Sequence, residues 1–108
     1  MSSSKKWKSI LQKDDGSCFL CSILHGDQSR KEVEKHHVFC GNRWRSISEQ
    51  NGFYVNLCIE HHRTGSEAVH DSKRSGEMKQ ILFEACEKKY LETNSFESWM
   101  QLMGKSWI

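Results

Sequence analysis

Two short pairs of metal-ligating residues constrain the fold of this 108-residue chain more than any other feature. The first pair is Cys18-x-x-Cys21, and the second is Cys58-x-x-His61, with 36 residues between the two pairs. Three thiolates and one imidazole suit a tetrahedral Zn²⁺ ion. Because the protein fills all four positions, the pattern predicts a structural zinc site with no open place for a substrate. The alternative is two unrelated knuckles, or buried free cysteines.

The cysteine count and the composition favour a metal over disulfides. The chain has five cysteines, an odd number, and no apolar stretch follows its basic start as in a secretory signal, so we expect a reducing cytoplasmic location. Hydrophobic residues make up 36% and charged residues 28%, which is typical of one small soluble domain with a limited core. A zinc site would contribute to its folding. No apolar run is long enough to cross a membrane, so a membrane protein is excluded.

Charge divides the chain unevenly. Residues 1–45 carry nine Lys and Arg against five Asp and Glu, whereas residues 46–108 carry seven against nine. The first part is therefore the better candidate for a surface that faces a polyanion, although Lys5, Lys6 and Lys8 alone could equally form a solvated tail. We interpret residues 1–17 as a basic N-terminal arm, either a short helix or a loose segment, and residues 18–108 as one domain.

The middle of that domain reads as two strands and a short helix. Residues 33–39 and 53–57 are rich in β-branched and aromatic side chains and predict strands. We expect a loop from Gly41 to Gly52 between them, a short helix over residues 59–64 that ends at Gly65, and mostly loop over residues 65–76. The zinc knuckle and the core thus occupy residues 18–76.

Two helices are predicted over residues 77–108. Apolar residues recur at helical spacing between Met78 and Tyr90, a stripe that includes Cys86, and Ser75 is a candidate cap for this helix. Asn94 with Glu97 resembles a capping box for a second helix, which Gly104 would end. We expect Cys86 in the core, whereas Cys40 could lie in the core or in a loop.

Five histidines remain after the four zinc ligands are assigned. His25 reads as a turn or surface residue, while His36 and His37 are consecutive in a strand and so point to opposite faces. His62 directly follows the ligand His61, and adjacent helical residues point about 100° apart, so the two cannot easily face the same ion. A second, separate metal centre is therefore the natural expectation.

Three segments together resemble the HNH endonucleases, and small phage-borne members in particular. They are Glu34-Lys-His-His-Val-Phe39, Gly52-Phe-Tyr-Val-Asn-Leu-Cys-Ile-Glu-His-His62 and Ala68-Val-His70. The resemblance implies an α+β fold with a ββα-metal core, here stapled by the Cys₃His zinc and followed by C-terminal helices. It also implies a metal-dependent DNA endonuclease that hydrolyses phosphodiester bonds to 5′-phosphate and 3′-hydroxyl products.

The resemblance also implies roles for particular residues. His36, His62 and His70 would bind one catalytic divalent cation, and His37 would be the general base. The histidine-rich set suits Zn²⁺, Ni²⁺ or Mn²⁺ better than Mg²⁺, so the working metal stays open. The family's middle asparagine braces the loop that carries the base. At the family's spacing this chain has Phe53 instead of asparagine. The nearest asparagines, Asn56 and Asn51, are both off register, and Asn56 is the candidate brace.

Phosphodiester cleavage requires that the protein hold a polyanion. The predicted DNA contacts are Arg43, Trp44 and Arg45 in the expected loop, with Arg63 adding charge. For Trp44 the alternative is an aromatic side chain folded back on the core. By analogy with phage members we expect a cytoplasmic protein of a phage or prophage, monomeric or homodimeric, whose partners include DNA and phage recombination or packaging proteins.

Two competing interpretations stay open at this point. The first is a non-catalytic zinc-knuckle module of phage origin that binds nucleic acid or protein. The second is a structural or packaging factor that keeps the fold without the activity. A purely structural module needs only the four zinc ligands and gives no reason for the second set of histidines, which favours the endonuclease.

Overall fold

A computed structural model describes residues 7–108 as a mixed α+β unit built around one β-hairpin. The elements in chain order are α1 (Phe19–His25), β1 (Val33–His37), α2 (Asn42–Asn51), β2 (Tyr54–Cys58), a short π-helical segment (Glu60–Thr64), α3 (Ser75–Leu91) and α4 (Phe96–Met103). The predicted α+β class and both strands are therefore confirmed. Among these helices, none is long and apolar enough to cross a bilayer.

The hairpin strands pair in antiparallel register, with His36 opposite Val55 and His37 opposite Tyr54. β2 is buried along its whole length, and its residues alternate between the two faces of the sheet. The predicted strand over 33–39 ends at His37, although the Val38 amide still donates to the Phe53 carbonyl at 2.9 Å. This register places the histidine pair of β1 against the buried strand β2.

The prediction of a loop from Gly41 to Gly52 is wrong, because residues 42–51 form helix α2. The segment is polar and has no side-chain cap, so its sequence carries no strong helix signal. Packing stabilises it instead: Trp44 and Ile47 lie against the hydrophobic core, and Ser48 is fully buried. Tertiary contacts thus override a weak local preference.

The N-terminal segment from residue 7 to residue 17 contains no helix and lies along β2. The Lys8 amide donates to the Tyr54 hydroxyl at 2.7 Å, and the Ile10 amide donates to the Gly52 carbonyl at 2.9 Å. Gly52 has φ +74°, and a Cβ at this position would lie 2.1 Å from the Lys8 carbonyl oxygen. A glycine is therefore required where the two segments cross. Lys5 and Lys6 lie outside the described residues.

The C-terminal helices confirm the predicted apolar stripe, but neither of the two predicted N-caps is correct. Met78, Leu82 and Cys86 are buried in α3, as expected. Ser75 is the first residue of α3 rather than its cap. The cap of α4 is Ser95, whose hydroxyl accepts the Ser98 amide, so Asn94 does not serve. Gly104, with φ +73°, ends α4 as predicted.

An aromatic cluster joins the C-terminal residues to the hairpin. Phe39, which follows β1, stacks on Phe83 with ring centroids 5.1 Å apart and lies 5.0 Å from Trp107. The buried Glu87 carboxylate holds this end of the chain by accepting the Trp107 amide at 2.6 Å. The segment after β1 therefore packs against α3 and the C-terminal residues through Phe39. Cys40 is exposed in that loop.

Candidate metal centres

The four predicted zinc ligands converge in one buried cluster. Cys18 and Cys21 lie at the start of α1, Cys58 ends β2, and His61 lies in the π-helical segment. The Cys21 and Cys58 sulfurs are 3.8 Å apart. His61 Nδ1 faces all three sulfurs, at 3.6 Å from Cys18, 3.3 Å from Cys21 and 3.4 Å from Cys58.

These separations fit a tetrahedral zinc ion. With Zn–S of about 2.3 Å and Zn–N of about 2.0 Å, tetrahedral geometry places two sulfurs about 3.8 Å apart and a sulfur about 3.5 Å from a nitrogen. The observed distances lie within ~0.3 Å of these values. Burial, together with the neighbouring Cys18 and Cys58 thiols, raises the pKa of Cys21 to about 12, so its thiolate form needs a nearby cation. The cluster is therefore compatible with a structural zinc site.

A carboxylate lies on the outer side of this cluster. Glu67 Oε1 is 3.6 Å from His61 Nε2 and 3.5 Å from Nε2 of the exposed His25. These three residues could formally make another metal site. However, His61 Nδ1 already faces the cysteines, and a neutral imidazole offers only one lone pair. Glu67 therefore fits an outer partner of the ligand His61, not a member of another centre.

The second histidine set forms a separate cluster on the other side of the π-helical segment. The ligating nitrogens of His36, His62 and His70 all lie within 4.8 Å of one another. Backbone hydrogen bonds bring His70 to this cluster across the glycine-containing loop, since its amide donates to the His62 carbonyl at 3.2 Å and the Val69 amide donates to the His61 carbonyl at 2.8 Å. Adjacent residues 61 and 62 thus belong to different clusters.

His36 carries the clearest sign that this cluster fits a metal ion. Its ring is 3% exposed, and Nε2 is buried without a hydrogen-bond partner among the described residues. Burial, with His62 and His70 close by, lowers the pKa of His36 to about 3. Burial also lowers the pKa of His70. Both rings are therefore neutral near pH 7, the form in which imidazole binds metals.

A carboxylate orients His62, the second imidazole of this cluster. Glu34 lies two residues before His36 on the same face of β1, and its Oε1 is 2.7 Å from His62 Nδ1. A carboxylate only accepts, so Nδ1 carries the proton and Nε2 is left as the metal-binding atom. Arg63 pairs with the other Glu34 oxygen at 2.8 Å. An ion held by three imidazoles alone would keep further coordination positions open, which is typical of catalytic rather than structural sites.

The predicted base, His37, lies on the opposite face of β1 and is half-buried. Its Nε2 is 2.8 Å from Glu49 Oε1 in α2, and its ring meets Tyr54 edge-on at 6.0 Å. A cavity of about 400 Å³ opens beside it, lined also by Asn42 and Arg45. His37 is therefore reachable from solvent while its ring is held by neighbours.

The predicted DNA contacts divide into two groups. Arg43 and Arg45 are exposed near the start of α2, and neither makes an ion pair with any residue between 7 and 108. Trp44 instead packs against Phe39 and Trp107 at 5.8 and 5.7 Å, which is the packing alternative. Arg63 is tied to the carboxylate that orients His62, so structure alone accounts for it.

The candidate brace Asn56 holds a different part of the chain from the one expected. Its side chain donates to Asp14 at 3.1 Å and its amide donates to the Gln12 side chain at 2.8 Å, so it anchors the N-terminal segment. Ser48 occupies the bracing position after β1, because its buried hydroxyl donates to the Phe39 carbonyl and accepts the Phe39 amide, at 3.1 and 3.3 Å.

Sequence reasoning missed three supporting residues, Glu34, Glu49 and Ser48. Glu34 belongs to the segment that carries the family resemblance, so an acidic residue two positions before a strand histidine was an available signal. No spacing rule points to the other two. They lie in the segment predicted as a loop, so only the helix reveals their positions.

Comparison with known proteins adds nothing to this geometry: no protein-family model, no curated protein and no solved structure matches the chain. Conclusions about function therefore rest on the residues and their arrangement.

Proposed function

We propose that this protein is a metal-dependent DNA endonuclease of the HNH type, stabilised by a Cys₃His structural zinc. The observation that carries the proposal is the second histidine cluster. Three imidazoles converge there, and one of them buries a nitrogen that has no other partner among residues 7–108. A buried, unpaired nitrogen is costly, by about 1–3 kcal/mol, which a ligand at this cluster would offset.

His36, His62 and His70 would hold the divalent cation, and Glu34 would keep His62 in the ligating tautomer. Such a cation supplies Lewis-acid stabilisation of a phosphate oxygen and of the leaving 3′-oxygen. His37, the residue next to His36 on β1, would take a proton from the attacking water. Adjacent positions on one strand thus divide ion binding and proton transfer between the two faces of the hairpin.

The polyanionic substrate would lie against the start of α2. Arg43 and Arg45 are exposed there without ion-pair partners in the described part of the chain, and Arg45 lines the cavity beside His37. Guanidinium groups bind phosphates in a forked geometry without reading base sequence, so we expect little sequence preference and strong salt dependence. Trp44, which is packed in the aromatic cluster, is not part of this surface.

A plasmid-nicking assay tests the proposal. Zinc-loaded protein is incubated with supercoiled plasmid and added Mg²⁺, Mn²⁺, Ni²⁺ or Zn²⁺, beside His37→Ala and the matched control His25→Ala. His25 is exposed and lies outside the second cluster. We expect metal-dependent nicking that His25→Ala retains and His37→Ala loses by about 10²–10⁴-fold, the usual contribution of a general base.

Two results would count against the proposal. If folded, zinc-containing protein nicks DNA with none of these metals, a non-catalytic nucleic-acid or protein-binding module becomes the better interpretation. If nicking survives His37→Ala undiminished, the base is assigned wrongly or a contaminant causes the cleavage. Zinc content and circular dichroism of each variant separate loss of activity from loss of fold.

A further inference from the structure

Glu49 is placed to control the chemistry of His37. It lies in the third turn of α2, and its Oε1 is 2.8 Å from His37 Nε2. The same oxygen accepts from Lys35 Nζ at 2.8 Å, and the Lys35 ammonium also lies 4.1 Å from the centre of the Tyr54 ring. One carboxylate therefore joins the base to a second residue on its own face of β1.

The bond fixes which nitrogen of His37 carries the proton. A glutamate side chain is ionised at neutral pH, and an ionised carboxylate has acceptors only. His37 must then present an N–H at Nε2, which leaves the lone pair on Nδ1. Because the ring also lies edge-on against Tyr54, both its tautomer and its orientation are constrained.

We propose that Glu49 is a positioning residue that holds His37 as the Nε2–H tautomer, so that Nδ1 is the atom that accepts the proton from water. This rests on the proposed endonuclease function for its catalytic part. The carboxylate partner also stabilises the imidazolium that forms when Nδ1 takes the proton, as a third group does in other nucleophile–base pairs.

The competing explanation is that Glu49 only ties α2 to β1 through its ion pair with Lys35. Lys35→Gln separates the two possibilities, because it removes that ion pair and leaves the bond to His37. Glu49→Gln is the matched partner: it keeps the side-chain shape, but its amide can donate as well as accept, so it no longer dictates the tautomer.

The decisive readout is the ¹⁵N spectrum of the His37 ring in zinc-loaded protein without substrate, recorded over a series of pH values. We expect the Nε2–H tautomer in wild type and in Lys35→Gln, and a mixed or Nδ1–H signature in Glu49→Gln. An Nδ1–H tautomer in wild type, or a spectrum that Glu49→Gln leaves unchanged, would overturn the proposal.

Nicking kinetics give the second readout. We expect Glu49→Gln to lower kcat by about 10²-fold with KM nearly unchanged, and Lys35→Gln to change kcat less than about 3-fold. Equal losses in the two variants would overturn the positioning role in favour of the structural one. If wild type shows the expected tautomer yet nicks no DNA, the pairing stands and the endonuclease function falls, so the two failures are distinguishable.

Discussion

We expect the substitution His36→Leu to stabilise the protein when the second cation is absent and to leave it less stable than wild type when Ni²⁺ is bound. In zinc-loaded protein without a second cation, His36→Leu removes a buried nitrogen that has no partner among residues 7–108 and keeps an apolar side chain of similar size. We expect the free energy of unfolding to rise by about 1–2 kcal/mol. With Ni²⁺ at about 100 times its Kd, wild type gains about 2.7 kcal/mol that the variant cannot gain, so the order of stability reverses.

The difference in stability between wild type and His36→Leu depends on pH. The unfolded chain protonates His36 with a pKa near 6.5, whereas burial holds the folded value at about 3. The unfolded state therefore binds more protons between these values, and wild type loses stability as the pH falls through 6.5. Lowering the pH from about 7.5 to about 6.0 should widen the advantage of the variant by about 1 kcal/mol.

Chemical denaturation at both pH values, with and without Ni²⁺, measures these differences. His37→Leu is the matched control, because its ring is bonded to Glu49 and the substitution should destabilise the protein while keeping the response to Ni²⁺. Loss of stability in His36→Leu without Ni²⁺, or a response of the variant to Ni²⁺ equal to that of wild type, would rule out a metal site at His36.

Three further predictions concern the frame. Gly52→Ala should lower the melting temperature more than Gly104→Ala, because both have positive φ but only the first places a Cβ against the Lys8 carbonyl; equal shifts in thermal melts would contradict this. Ser48→Ala should destabilise the protein by about 1–3 kcal/mol in urea, because both backbone groups that the hydroxyl serves lose a partner, and a change below ~0.5 kcal/mol would argue against the brace. Cys58→Ser should abolish stoichiometric zinc and most of the helical circular dichroism, whereas a folded, zinc-free variant would show that the fold does not depend on the ion.

Local sequence patterns correctly predicted the Cys₃His cluster and the two strands. The spacing of Cys18, Cys21, Cys58 and His61 identified one cluster, because two ligands with two residues between them can both reach a single ion. The strands were correct to within two residues. Each strand carries β-branched or aromatic side chains and is followed or preceded by turn residues, and both segments are strands in the structure.

Helix α2 could not be predicted, and the residues that depend on it were missed for that reason. Its ten residues have neither a side-chain N-cap nor a strong apolar stripe, and packing of Trp44 onto aromatic rings from distant parts of the chain stabilises the helix. Glu49 and Ser48 acquire their roles only when this helix brings them to β1. Glutamate residues usually lie on protein surfaces, so the sequence alone does not show that Glu34 and Glu49 pair with histidines in the fold.

We expect the adjacent residues His61 and His62 to serve two different metal centres. Calorimetric titration of zinc-loaded protein with Ni²⁺, together with measurement of retained zinc, distinguishes two centres from one. We expect one retained Zn²⁺ and one added Ni²⁺ per chain in wild type, and loss of the Ni²⁺ with the zinc unchanged in His62→Ala. Release of zinc by His62→Ala, or no Ni²⁺ binding in wild type, would contradict it.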